Sequence, residues 1–237
     1  MCLSHGGGFT AGTPEQNEGL CLRIAAEVNC LVASVDYRLA PAHPFPAAPD
    51  DCYAALLWLA ANAATFGLDA QRIAVGGSSA GAGLAAAVAL MARDRGEVAL
   101  AYQLLVYPCL DDRHETASSH EFAAEGMIWN RAQSLRGWGA YLGAGHQGTP
   151  SPYAAPARVA DVAGLPPTYM MAAQLDLLRD EDIAYATRLT QAGVPTELHV
   201  HPGAMHGFVL FAAQAAASQR AIGDYVAALG RALNGGG

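Results

Sequence analysis

Ile73-Ala74-Val75-Gly76-Gly77-Ser78-Ser79-Ala80-Gly81-Ala82-Gly83-Leu84, continued by an alanine-rich run to Ala92, is the stretch that decides the fold. It carries no charge from Ile73 to Ala92 and, at ~20 residues, is long enough to be read as a membrane span. Gly76, Gly77, Ser78, Ser79, Gly81 and Gly83 break it in the middle. A short apolar run, a sharp turn and a helix account for it better, so the segment reads as strand–turn–helix. Ser79 holds the centre of Gly77-Ser78-Ser79-Ala80-Gly81, a G-x-S-x-G pattern. A serine on such a turn projects its hydroxyl, while the flanking glycines let the backbone pass close to its neighbours. Alone, this pentapeptide arises by chance in many chains rich in alanine and glycine.

The segments on either side repeat the alternation. Thr13-Pro14-Glu15-Gln16 carries a cap residue, a proline and a glutamine three after the cap, so a helix is expected from there to about Asn29. Leu31 to Val35 reads as a buried strand, proline-rich Asp36 to Pro49 as irregular, and Asp50 or Asp51 as the cap of a helix bearing Tyr53, Leu56, Leu57 and Leu59. Arg72 to Val75 is the next strand, Ala80 to Arg93 a helix, and Tyr102 to Tyr107 a strand closed by Pro108. Asp111 to Pro156 is a polar, glycine-rich insertion with one helix carrying Ile128, Trp129, Leu135, Trp138, Tyr141 and Leu142, and insertions of this length are usually functional. Strand Thr168 to Ala172, helix Glu181 to Ala192, strand Thr196 to His201 and helix Ala216 to Leu233 follow, before a frayed Gly235-Gly236-Gly237 tail. Apolar strands alternating with helices call for an α/β domain with a mostly parallel sheet covered on both faces, here one domain over residues 1–237.

Composition narrows the chemistry. The chain has 237 residues, 52% apolar and 14% charged, with a net charge of −8 and no cluster of basic residues, so nucleic acid and anionic lipid are not expected partners. All 13 basic residues are arginines. Lysine Schiff bases, a Walker-type phosphate loop and a serine–lysine dyad are therefore excluded. Cys2, Cys21, Cys30, Cys52 and Cys109 form no C-x-x-C pair and read as reduced thiols. Met1 to Gly6 lacks the basic stretch and apolar run of a secretory signal, which points to the cytoplasm.

Three separated segments converge on nucleophilic chemistry. His5-Gly6-Gly7-Gly8-Phe9 is a glycine run of the type that offers backbone N–H groups to an oxyanion, with the Ala80 N–H as the other donor. Asp176 and His206 each follow a strand, and the chain order Ser79, Asp176, His206 is that of the α/β-hydrolase fold. His206 would take the Ser79 proton and Asp176 would hold the imidazole. Asp180, Glu181 and Asp182 lie close by, but they open a helix, where acids favour the N-terminal dipole. His199 and His201 share a strand face and, with His206, imitate metal-ligand spacing, yet no carboxylate or cysteine completes a set, so no metal site is expected. Gly81-Ala82-Gly83-Leu84-Ala85-Ala86 fits a dinucleotide fingerprint, but its first glycine falls inside the helix and no acid-ended strand follows at the distance ribose binding needs.

At this extent the chain resembles the hormone-sensitive-lipase-like, or bacterial family IV, carboxylesterases. The glycine run, Asp36-Tyr37-Arg38-Leu39-Ala40-Pro41 with His43-Pro44-Phe45-Pro46-Ala47-Ala48, the Ser79 elbow, Asp176 with Leu178-Arg179-Asp180-Glu181, and His206-Gly207-Phe208 look like that family's motifs in order. The resemblance implies hydrolysis of short-chain carboxylic esters of small molecules without metal or cofactor. Ser78 and Ala82 stand where many members have aspartate and glycine, changes that bear on the pocket. Phe9, Met127, Ile128, Trp129 and Phe208 are its expected walls, and Asp36 with Arg38 is expected as a buried ion pair. Amide, lactone or carbamate cleavage on the same residues stays open, because a triad does not encode its leaving group.

Members ordinarily reach the glycine run after a helical cap segment and the first strands, whereas here it begins at His5. The expected fold is thus an α/β-hydrolase abbreviated at its N-terminus, with the strand leading into His5 nearly missing and a bare sheet edge near Leu31 to Val35. Such an edge implies a homo-oligomer that covers it, or low stability.

Overall fold

The expected alternation is borne out. A computed structural model describes residues 1–123 and 126–235, so Gly236 and Gly237 of the expected frayed tail lie outside the described residues. In order, the chain forms β1 (Cys2–Ser4), α1 (Glu18–Val28), β2 (Ala33–Val35), α2 (Ala47–Ala61), β3 (Ala74–Ser78), α3 (Ala80–Arg95), β4 (Tyr102–Val106), α4 (Ala117–Glu121) and α5 (Arg131–Leu142). Then come β5 (Thr168–Leu175), α6 (Arg179–Gln191), β6 (Thr196–Met205), α7 (Phe208–Phe211) and α8 (Ala216–Asn234). The six strands make one all-parallel sheet in the order β2-β1-β3-β4-β5-β6.

A parallel sheet covered on both faces must be apolar on both, and β4 is buried at every position. Leu105 enters the core beneath α2, α3 and α6, while Leu104 and Val106 enter the one beneath α1 and α8. Among the described residues no helix is long and apolar enough to cross a membrane.

Sheet order positions the site. β1 lies between β2 and β3, so the chain leaves β1 toward one side through α1 and returns on the other through α2. The crevice beyond the carboxyl ends of β1 and β3 is a topological switch point, where open α/β sheets bind ligands. The pairing of Ser4 with Gly77 sets His5 and Gly6 beside Ser78 and Ser79. β2 is an outer strand, as expected of the Leu31 region, but β1 is internal: it pairs on both sides, and the Met1 amino group donates to the Leu31 carbonyl at 2.7 Å. The glycine run therefore departs from the middle of the sheet.

Several helix starts differ from expectation: α6 opens two residues early at Arg179, and α5 opens only at Arg131, because Asn130 caps it, so Ile128 and Trp129 precede the helix expected to carry them. Pro14–Asn17 forms a 3-10 turn before α1, Thr13 makes no capping bond, and Gln16 turns away to donate to the Gly6 carbonyl at 3.1 Å. α2 begins at Ala47, because Pro49 in its first turn lacks only an N–H that would have had no partner there. This earlier start presents Asp51 to Arg38, whose Nε and Nη2 each donate to its carboxylate at 2.8 Å. The expected Asp36–Arg38 pair is not formed, and both residues are exposed. At that exposure the Arg38–Asp51 pair contributes little to stability.

Candidate active site

The turn after β3 holds Ser79 at φ 56° and ψ −123°, a conformation that L-residues rarely adopt. Its surroundings fix it there. The Ser79 N–H donates to the Val106 carbonyl at 2.9 Å, and its own carbonyl accepts from Ala82, Gly83 and Cys109 N–H groups at 3.0, 3.0 and 3.1 Å. A Cβ on Gly81 would lie 2.1 Å from the Ser4 carbonyl oxygen, and one on Gly83 would lie 2.2 Å from that of Cys109. Gly81 and Gly83 therefore sit inside α3 for close packing against the sheet, the better account of this second glycine pattern.

The three residues named from chain order meet here. Ser79 Oγ and His206 Nε2 are 2.8 Å apart, and His206 Nδ1 donates to Asp176 Oδ2 at 2.6 Å. The other oxygen of Asp176 accepts the Leu178 N–H at 3.1 Å. Strands β5 and β6 run longer than expected, to Leu175 and Met205, so the acid and the imidazole each follow immediately on a strand end. All three are buried. Cys109 Sγ lies 3.7 Å from the serine hydroxyl, but burial pushes its thiol well above the ordinary range, which keeps it protonated.

The neighbouring acids have other work than facing a helix dipole. Asp180 Oδ2 accepts the Ser118 N–H at 2.7 Å and so ties α6 to α4, while Glu181 Oε1 accepts from Leu110 and Asp111 N–H groups at 2.8 and 3.1 Å and fixes the loop after β4. Asp182 is fully buried, and among the described residues neither of its oxygens has a hydrogen-bond partner. Burial first, then the like charges of Glu181 and Asp176, raise its pKa well above the usual carboxylate range. A carboxyl whose folded pKa is raised contributes most below its unfolded value near 4, and that contribution is lost as pH rises toward the folded value. Asp182→Asn should consequently become more stabilising, relative to wild type, as pH rises from the unfolded carboxyl value toward the raised folded one. Urea unfolding at pH 5, 6.5 and 8 reads this, and a difference that does not change with pH would mean that Asp182 is ionised in the fold.

Carbonyl anchoring orients the glycine run. The Gly6 carbonyl accepts from His5 Nδ1 at 2.8 Å and from Gln16, the Gly7 carbonyl accepts from Thr10 and Ala11 N–H groups at 3.1 and 3.0 Å, and the Tyr37 hydroxyl donates to the His5 carbonyl at 2.7 Å. Burial lowers the His5 pKa, favouring the neutral ring that stacks on Tyr37. Among the described residues the N–H groups of Gly7, Gly8 and Ala80 have no hydrogen-bond acceptor. Gly7, at φ 131°, and Gly8, at φ 59°, adopt backbone conformations that favour glycine, and a Cβ on Gly8 would lie 2.5 Å from the Trp129 ring. Gln16 and Tyr37 thus brace the run; the first is disguised in the sequence as a capping residue, and the second lies within the Asp36–Pro41 segment.

The expected pocket walls divide. Trp129 covers Gly8, and its ring centroid is 6.1 Å from that of His206. It immediately precedes the capping box in which Asn130 and Gln133 exchange side-chain and backbone bonds at 3.0 Å, which starts α5. Met127 is half-buried and Ile128 exposed. Phe9 is core instead, stacked on Tyr141 at 4.1 Å, because its φ of 65° turns it under α5. Phe208 packs into the opposite core beside Tyr107. Ser78 lines a cavity of about 360 Å³ on the α1 and α8 side of the sheet, whose lining includes Gly77 and Tyr107 but none of Ser79, Asp176 and His206.

Comparison with known proteins places the chain in a family. Residues 1–210 match the family model described as alpha/beta hydrolase fold. The chain is 41% identical to carboxylesterase NlhH of Mycobacterium tuberculosis over 236 residues, 97% of this chain and 72% of that protein. It is 34% identical to ethyl acetate hydrolase of Pseudomonas putida, over 86% of this chain and 64% of that protein. A solved bacterial heroin esterase superposes with a TM-score of 0.95 at 48% identity, covering 98% of this chain and 74% of that one. With the sheet, the elbow and these likenesses together, the chain belongs to the α/β-hydrolase family, in its hormone-sensitive-lipase-like carboxylesterase branch.

Proposed function

We propose that this protein is a serine carboxylesterase that hydrolyses short-chain acyl esters through an acyl-enzyme. The observation that carries this reading is the unbroken hydrogen-bonded series from Ser79 Oγ through His206 to Asp176, beside acceptor-free backbone N–H groups. His206 Nε2 takes the Ser79 proton as Oγ attacks the ester carbonyl, and Asp176 steadies the imidazolium. The carbonyl oxygen, now negative, is received by N–H groups of the Gly6 to Gly8 run and by that of Ala80. His206 then gives its proton to the leaving alcohol, and water, activated by the same ring, releases the acid from Ser79.

Trp129 beside His206 and over Gly8 supports a preference for small acyl groups, because its ring fills space that a long chain would need. The likeness to ethyl acetate hydrolase, a protein named for a short acyl ester, supports the same preference. An organophosphate should label one serine, Ser79, with loss of all esterase activity; labelling elsewhere with full inhibition would sink the assignment. Among p-nitrophenyl esters, kcat/KM for acetate and butyrate should exceed that for dodecanoate by about tenfold or more. The reverse order would overturn the short-chain reading while leaving the nucleophile in place.

A further inference from the structure

His199 and His201 are two residues apart on β6 and therefore face the same side of the sheet, the side covered by α8. The carboxylate missing from their sequence pattern comes from α8. One ring nitrogen of each histidine and one oxygen of Asp224 lie within 4.8 Å of one another. His199 Nε2 is 2.9 Å from Glu197 Oε1, and since a carboxylate only accepts, that nitrogen carries the hydrogen. His199 Nδ1 faces Asp224 Oδ2 at 3.8 Å. His201 Nε2 is also buried and has no hydrogen-bond partner among the described residues. The other oxygen of Glu197 accepts from Arg231 Nη2 at 2.8 Å, so this carboxylate is held as an outer support for His199.

We propose that His199, His201 and Asp224 form a binding site for a divalent first-row transition ion of the Zn²⁺ type, with Glu197 orienting His199 from outside. Two imidazoles and one carboxylate suit such an ion better than Mg²⁺ or Ca²⁺, which prefer all-oxygen sets. Around a tetrahedral Zn²⁺ the ligand atoms would stand ~3.3 Å apart. The His199 and Asp224 side chains are 33% and 47% exposed, which leaves room for small rotations to close the set, with water completing it. A backing carboxylate on the far nitrogen of a ligating histidine fixes its tautomer and strengthens it as a ligand. Arg220, on α8, adds positive charge near His201, so binding should be weaker than at a closed four-ligand site. The ion would join the outer strand β6 to α8, upstream of His206, which follows the end of that strand, and brace the fold without touching Ser79.

The full chain, freed of metal, is titrated with Zn²⁺ alone by calorimetry and with Co²⁺ by visible absorption. One equivalent should bind, the thermal midpoint should rise by several degrees, and Co²⁺ should give the absorption of a low-coordinate nitrogen and oxygen site. Asp224→Asn, at a half-exposed position that does not endanger folding, and His201→Gln should each weaken binding by about 100-fold, and Glu197→Gln by about tenfold. Ester hydrolysis by metal-free Asp224→Asn should match wild type. No saturable binding to wild type overturns the proposal. So does a full equivalent retained by the Asp224→Asn, His201→Gln double variant, which would place the ion on other ligands.

Discussion

Ser79→Ala is expected to leave the fold intact and to lower kcat for ester hydrolysis by about 10⁴ to 10⁶. The fold should survive because the elbow is held by backbone bonds to Val106, Ala82, Gly83 and Cys109, none of which uses the hydroxyl. The activity should not, because no other group can form the acyl-enzyme: the cysteine nearest Oγ, Cys109, is buried and kept as a thiol. His206→Ala should cost about as much, and the double variant little more, since the two residues act as one unit. Asp176→Asn should cost about 10⁴, because the amide can present its N–H to His206 Nδ1 and favour the wrong tautomer. Single-turnover kinetics beside circular dichroism of each variant separate chemistry from folding. Strict additivity of the Ser79 and His206 losses would show that the two do not act together, and residual activity of a few per cent in Ser79→Ala would move the nucleophile elsewhere.

Residues that serve local geometry are the ones legible in the sequence. Ser79, Asp176 and His206 each follow a strand, and a strand end at the carboxyl edge of a parallel sheet is a place that periodicity and chain order can locate. The glycine run is legible for a related reason, since only glycine admits the conformation at Gly7 and the approach of Trp129 to Gly8. Partners brought from afar are not legible. Arg38 finds Asp51 because α2 starts early, Gln16 leaves its own helix to hold Gly6, and Asp224 reaches β6 from the last helix. Aromatic residues near the site are the hardest to place. Phe9 and Trp129 look alike as wall residues in the sequence, yet one lies in the core on Tyr141 and the other beside His206. The difference comes from a positive φ at Phe9 and from the cap that starts α5 behind Trp129, neither of which hydrophobicity reports.

Gly81→Ala should be severely damaging, although it adds only one methyl group. In a helix this exchange ordinarily stabilises by up to about 1 kcal/mol, because alanine restricts the unfolded chain and glycine does not. Here the added Cβ would stand 2.1 Å from the Ser4 carbonyl oxygen and 2.4 Å from that of His5. Both are backbone atoms, and Ser4 ends a strand paired on both sides, so no side chain can rotate away to relieve the clash. Either α3 lifts off the sheet or β1 is displaced. Overpacking of this kind costs about 3 kcal/mol or more. The same movement would separate the glycine run from Ser79, and a misplacement of ~1 Å at a reacting centre costs about 10²-fold in rate. Gly139→Ala provides the comparison: that glycine is exposed on α5 with nothing within 4 Å of its added Cβ, and it should gain up to about 1 kcal/mol with unchanged kcat. Urea unfolding and ester hydrolysis of the two variants side by side measure both effects. Equal stability and equal kcat would mean that the elbow and the glycine run are not locked together through Ser4 and Gly81, and the oxyanion assignment would lose its structural basis.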